Sequence, residues 1–131
     1  MVYGGVGCGL NMTSILIVDD EAEIVDQVKE YFEEEGFRVF VAETGFEGIE
    51  LVKREHPTIL ILDMKLPDVP GLTVLKVAKD ESPQTKIIAI TGFVDQAMMD
   101  QAEVLGRDTF LQKPFDLEKL KDEVDRLLKT K

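Results

Sequence analysis

Two short aliphatic runs constrain this chain most. Ile15-Leu16-Ile17-Val18 stops on Asp19-Asp20-Glu21, and Ile59-Leu60-Ile61-Leu62 stops on Asp63. A strand with one face in water alternates apolar and polar residues; an unbroken aliphatic run reads as a strand buried on both faces. Such strands need a parallel sheet with helices packed on either side. The acids are the puzzle. Adjacent carboxylates at the end of a buried strand cost energy through desolvation and mutual repulsion. A bound cation is the first candidate to offset that cost.

The rest of the chain alternates in the same way. Ile24, Val25, Val28, Tyr31 and Phe32 recur at helical spacing over 21–35, with Gly36 as a stop. Phe37, Val39 and Val41 alternate, which predicts a second strand over 37–42. A second helix runs through Phe46, Ile49 and Val52 and ends before Pro57. After the third strand, 58–62, comes a loop with Pro67, Pro70 and Gly71, then a helix over 72–80 that Ser82-Pro83 breaks. Strand four is expected over 86–90, ending on Thr91-Gly92, and a helix with Met98, Met99, Ala102 and Leu105 over 95–105. A short strand over 109–112 precedes Lys113-Pro114. Asp116 is placed to cap a last helix whose apolar face is Leu117, Leu120, Val124, Leu127 and Leu128. Strands alternating with helices imply an α/β, doubly wound parallel sheet.

Composition excludes several functions. Lys and Arg number 15 against 26 Asp and Glu, a net charge of −11, which disfavours nucleic acid and anionic membrane surfaces as partners. Cys8 is the sole cysteine, so neither an internal disulfide nor a thiolate metal cluster forms, and a reducing cytoplasmic location is expected. The start, MVYGGVGCGLNMTS, lacks the basic end and apolar middle of a signal peptide.

In open α/β sheets, ligands bind at the carboxyl ends of the strands. Asp19-Asp20, Asp63, Thr91 and Lys113 all follow strands and reach that edge. Oxygen-only ligands suit a hard cation such as Mg²⁺, which favours phosphate oxygens. A lysine is a compact charge for phosphate, and a threonine adds a hydroxyl donor. Singly, each residue has an ordinary explanation. Glu21 reads as a first-turn acid favouring a helix N-terminus, and His56 as a solvated loop residue. Jointly, the strand-end residues do not.

The motifs ILIVDDE, LILDMKLPDVPG, IIAITG and FLQKPF, in that order, resemble the receiver domain of two-component response regulators, the fold of the chemotaxis protein CheY. The resemblance covers about 15–128 and implies five parallel strands in the flavodoxin-like order 2-1-3-4-5 with five helices. The glycine-rich start reads as a flexible N-terminal extension over 1–13, ahead of a receiver domain over 14–131. Asp63 matches the phosphoacceptor. Asp19, Asp20, Asp63 and the backbone carbonyl of Lys65 match the Mg²⁺ ligands. Lys113 matches the lysine that pairs with the phosphoryl oxygens, Thr91 the hydroxyl that moves toward them, and Phe110 the aromatic switch. The Lys113-Pro114 bond is usually cis in that family. The implied function is a signalling switch that catalyses only its own phosphorylation and dephosphorylation. Its expected partners are a histidine kinase or histidine phosphotransfer protein and a downstream target or output domain. Phosphorylation is expected to change the face made by the fourth helix, fifth strand and fifth helix.

Three positions depart from the common pattern. Pro70 stands before Gly71 where aspartate is frequent. Lys65, two residues after Asp63, and Phe93, two after Thr91, flank the path of the hydrolytic water, and their bulk predicts a long-lived phosphoryl state. Two rivals fit less well. Mg²⁺-dependent phosphatases with an aspartyl nucleophile usually carry DxD, whereas the acids here are adjacent. Pseudo-receivers usually lack one of the acids, the threonine or the lysine.

Overall fold

The computed structural model describes residues 13–92 and 95–129. Strands β1 (Ser14–Val18), β2 (Arg38–Ala42), β3 (Ile59–Asp63), β4 (Lys86–Thr91) and β5 (Thr109–Gln112) form one parallel sheet. Their order is β2-β1-β3-β4-β5, as the resemblance implies. Helices α1 (Ala22–Glu34), α2 (Gly45–Glu55), α3 (Gly71–Glu81), α4 (Gln96–Leu105) and α5 (Leu117–Leu128) connect or follow the strands.

The unbroken aliphatic runs have a simple cause: each strand faces two cores. Ile15, Ile17, Ile59 and Ile61 pack with Val25, Val28 and Phe32 of α1 and Leu120, Val124 and Leu127 of α5. Leu16, Val18, Leu60 and Leu62 pack on the opposite side with Val52, Val74, Leu75, Ala78 and Ala102 of α2, α3 and α4. Alternate side chains point to opposite faces, so a sheet covered on both sides needs apolar residues at every position.

The edges depart from the sequence reading. Phe37, just before β2, and Val39 within it pack against one core and Phe40 against the other, while Val41 is exposed. An edge strand is only partly covered on each face, so strict alternation is not imposed. Leu128, expected on the apolar face of α5, is also exposed. Asp116 holds the N-cap position of α5 but its side chain makes no capping bond. Asp95 does cap α4, accepting from the Ala97 and Met98 N–H groups. Among the described residues, no helix is long and apolar enough to cross a membrane. The expected extension, Thr13 apart, lies outside the described residues.

Candidate functional site

The ladder carries the site residues past the strand ends. Asp19 N–H donates to Ala42 O at 3.1 Å, Met64 N–H to Ile90 O at 2.9 Å and Lys113 N–H to Thr91 O at 2.8 Å. The register sets Val18 against Leu62 and Thr91 against Gln112. Asp19 and Asp63 therefore leave neighbouring strands at one level, with Thr91 and Lys113 beside them.

Asp19 and Asp63 are oriented by the same device. Each accepts a backbone N–H two residues on: Asp19 Oδ1 from Glu21 at 2.8 Å, Asp63 Oδ1 from Lys65 at 3.0 Å. Such turns are a local habit of aspartate. Each Oδ2 is left facing Lys113 Nζ, at 3.0 Å in both cases. The Lys113–Asp63 contact is a hydrogen bond. The contact to Asp19 Oδ2 is off hydrogen-bond geometry, and that buried oxygen has no aligned donor. Glu21 Oε1 completes the surroundings of the ammonium.

Burial pushes the Asp19 carboxyl above the usual carboxylate range; the Glu21 N–H and Lys113 oppose this, and the charge of Asp63 adds to it. Lys113 is held above the usual lysine range. Burial works against its charge, but Glu21, Asp19 and Asp63 outweigh it. One ammonium thus serves several acids.

Asp19, Asp20 and Asp63 each offer an oxygen, and these lie within 4.8 Å of one another. An all-oxygen set with a buried, poorly partnered carboxylate oxygen fits a hard divalent cation. Asp20 is exposed, at the mouth of an open pocket that Glu21, Asp63, Lys65, Leu66, Pro67, Gly92 and Lys113 also line. A Cβ on Gly92 would meet Lys113 only at 3.9 Å, so packing does not demand glycine there. Thr91 is buried at the end of β4. Phe110 is half-buried on the α2–α4 side, with the Arg107 guanidinium 6.0 Å from its ring centre. The Lys113-Pro114 peptide is cis. Phe93 lies outside the described residues.

Sequence reasoning missed two residues. Glu21 stands at the N-cap of α1 and reaches Lys113, 92 positions away. Asp68 caps α2 from the β3–α3 loop, accepting from Gly45 N–H at 2.8 Å and Phe46 N–H at 2.9 Å. Neither contact has a sequence-spacing signal.

The family model of the response regulator receiver domain matches residues 15–125. This chain belongs to that family. The receiver domain is 34% identical over 117 residues to sporulation initiation phosphotransferase F of Bacillus subtilis, covering 89% of this chain and 94% of the relative. It is 35% identical over 117 residues to the response regulator SaeR of Staphylococcus aureus, covering 89% of this chain but only 51% of that relative. Among solved structures, a CheY-like receiver domain protein from Methanospirillum hungatei superposes with a TM-score of 0.83 at 32% identity, covering 91% of this chain and 98% of the other. A two-component response regulator from Clostridium difficile gives 0.84 at 26% identity, covering 89% and 96%.

The receiver domain therefore works in phosphorylation-dependent two-component signalling. Receiver domains generally bind Mg²⁺ at an acidic pocket, and the acidic cluster here is of that kind. Response regulators interact with histidine kinases or phosphotransfer proteins.

Proposed function

We propose that Asp63 is the phosphoacceptor of this receiver domain and that Asp19, Asp20, Asp63 and the Lys65 carbonyl hold Mg²⁺. The observation that carries this reading is the convergence of three aspartates within 4.8 Å beside one lysine, at the carboxyl edge of the sheet. The donor is a histidine kinase or histidine phosphotransfer protein. An oxygen of the Asp63 carboxylate bonds to phosphorus as the P–N bond of the donor phosphohistidine breaks, and the electron pair leaves on the imidazole nitrogen. When bound, Mg²⁺ supplies charge neutralisation for the phosphoryl oxygens. Lys113 pairs with those oxygens, and the Thr91 hydroxyl turns toward them.

The acyl phosphate adds charge and acceptor oxygens beside Thr91 and Lys113. Phe110 relays the change to the face of α4, β5 and α5, which regulates a downstream protein or an output domain. A full reversal of such a switch needs differential binding of about 5 kcal/mol. The domain catalyses only its own phosphorylation and dephosphorylation. Its setting is cytoplasmic, and its partners are proteins rather than nucleic acid or membrane, a reading that the net charge of −11 supports.

Incubation with acetyl phosphate and Mg²⁺, followed by intact mass, tests this. A single phosphoryl adduct is expected, absent without Mg²⁺ and absent in Asp63→Asn. A folded protein that gains no adduct from acetyl phosphate or a panel of histidine kinases, and binds no beryllofluoride, would overturn the reading.

A further inference from the structure

We propose that Glu21 is a positioning residue that withholds the Lys113 ammonium from an incoming phosphoryl group, so that its release precedes phosphorylation of the domain. This rests on the roles given above to Asp63 and Lys113. An ammonium has three N–H donors. Three carboxylates surround this one: Asp19 Oδ2 and Asp63 Oδ2 at 3.0 Å and Glu21 Oε1 at 2.5 Å. Glu21 and Asp63 take two of its N–H groups in hydrogen bonds and Asp19 Oδ2 crowds the third without accepting it, so a phosphoryl group draws more than one donor from Lys113 only if Glu21 or Asp63 yields.

The three are not equally free to yield. Asp19 and Asp63 are buried, and each is pinned by a backbone N–H. The Glu21 side chain is 58% exposed, so water can take over its carboxylate when it leaves. Its main chain stays anchored, because its carbonyl accepts the Ile24 and Val25 N–H groups.

A second observation points the same way. Helix N-caps favour Ser, Thr, Asp and Asn, whose short side chains reach the free N–H groups. Glu21 occupies that position on α1 and makes no side-chain cap. Its longer side chain spans to Lys113 instead. It also lines the pocket with Asp20, Asp63, Lys65 and Lys113, across the approach to the acceptor. The contact acts as a competitor: the competent state is the fraction with Lys113 free, and apparent donor affinity scales with that fraction.

The test is acetyl phosphate labelling of wild type, Glu21→Gln and Glu21→Asp at saturating Mg²⁺, read by intact mass over time. An exposed ion pair of this kind predicts that Glu21→Gln lowers the half-saturating donor concentration about two- to fivefold, with the saturating rate unchanged. Glu21→Asp keeps the charge but is one methylene shorter and suits the N-cap, so it should match Glu21→Gln. Unchanged or weaker donor affinity in Glu21→Gln overturns the proposal. So does a Glu21→Asp protein that behaves as wild type, since charge near the pocket would then suffice. If wild type forms no Asp63-dependent adduct with acetyl phosphate or a panel of histidine kinases and binds no beryllofluoride, the phosphoacceptor reading falls instead. A double-mutant cycle of Glu21→Gln and Lys113→Met on the unfolding midpoint then decides the contact: additive shifts overturn it, and non-additive shifts retain it.

Discussion

Lys65 is fixed by its own backbone, because its N–H is the donor that orients Asp63. Its exposed side chain starts at the pocket rim, where a hydrolytic water would approach an acyl phosphate on Asp63. We expect Lys65→Ala to shorten the life of the labelled phospho-protein several-fold, followed as loss of label after donor removal; unchanged decay would sink the shielding idea. Gly71 acts through space instead. A Cβ there would lie 2.4 Å from Met64 Cα and 2.8 Å from Met64 O, and backbone cannot move aside as a side chain can. Gly71→Ala should cost about 1–3 kcal/mol in urea unfolding, the usual penalty of overpacking. It should also slow phosphorylation, because Met64 follows Asp63. The site residues at strand ends were legible in the sequence, since topology alone brings them to one edge. Glu21 was not. Whether a glutamate caps its helix or reaches a lysine 92 positions away is a choice of rotamer, which no periodicity records.

Elements were legible where both faces are covered and less so where they are not. The runs in β1 and β3 announce burial on two sides, whereas Val41 on edge strand β2 continues an alternation that the fold does not use. Helix starts show the same limit. Pro70 takes the N-cap of α3 with no side-chain acceptor to offer, and Asp116 takes that of α5 without using its own. Helix α2 is capped twice: by its own Thr44, and by Asp68 from a loop 23 positions on. Partial desolvation raises the Asp68 carboxyl, but the Phe46 and Gly45 N–H groups outweigh this and hold it below the ordinary aspartate value of 3.8. An acid bound more weakly to its proton when folded adds stability above its unfolded pKa, and that stability is lost as pH falls through the folded value. Asp68→Ala should therefore unfold at lower temperature than wild type at neutral pH. The gap should narrow as pH drops below the ordinary aspartate value. A gap that holds constant in acid would mean that the charge of Asp68 contributes nothing to the cap.

At the scale of the whole molecule, the site sets the stability of the fold against its capacity to bind. Four carboxylates, Asp19, Asp20, Glu21 and Asp63, gather on an edge served by Lys113, in a chain whose net charge is −11. Sheet and helices hold them there through the two cores that bury both faces of β1 and β3. Repulsion among the acids is thus built into the folded state and is relieved when the chain unfolds. A divalent cation that binds only the folded site stabilises it by mass action, about 2.7 kcal/mol at 100 times its dissociation constant. For a domain of this size that corresponds to a rise in Tm of roughly 5–15 °C. We expect Mg²⁺ to raise the Tm of wild type by that order at saturation, and Asp20→Asn to lose most of the rise, because Asp20 is exposed and its loss should leave the apo fold intact. Lys113→Met should show the opposite balance. Without its internal counter-ion the apo domain should unfold at lower temperature, yet respond more strongly to Mg²⁺, because the cation then meets carboxylates that no ammonium shares. Equal Mg²⁺ shifts in wild type and Lys113→Met would mean that the lysine and the metal do not draw on the same oxygens. The acidic cluster would then owe its position to the fold alone and not to competition between the two cations.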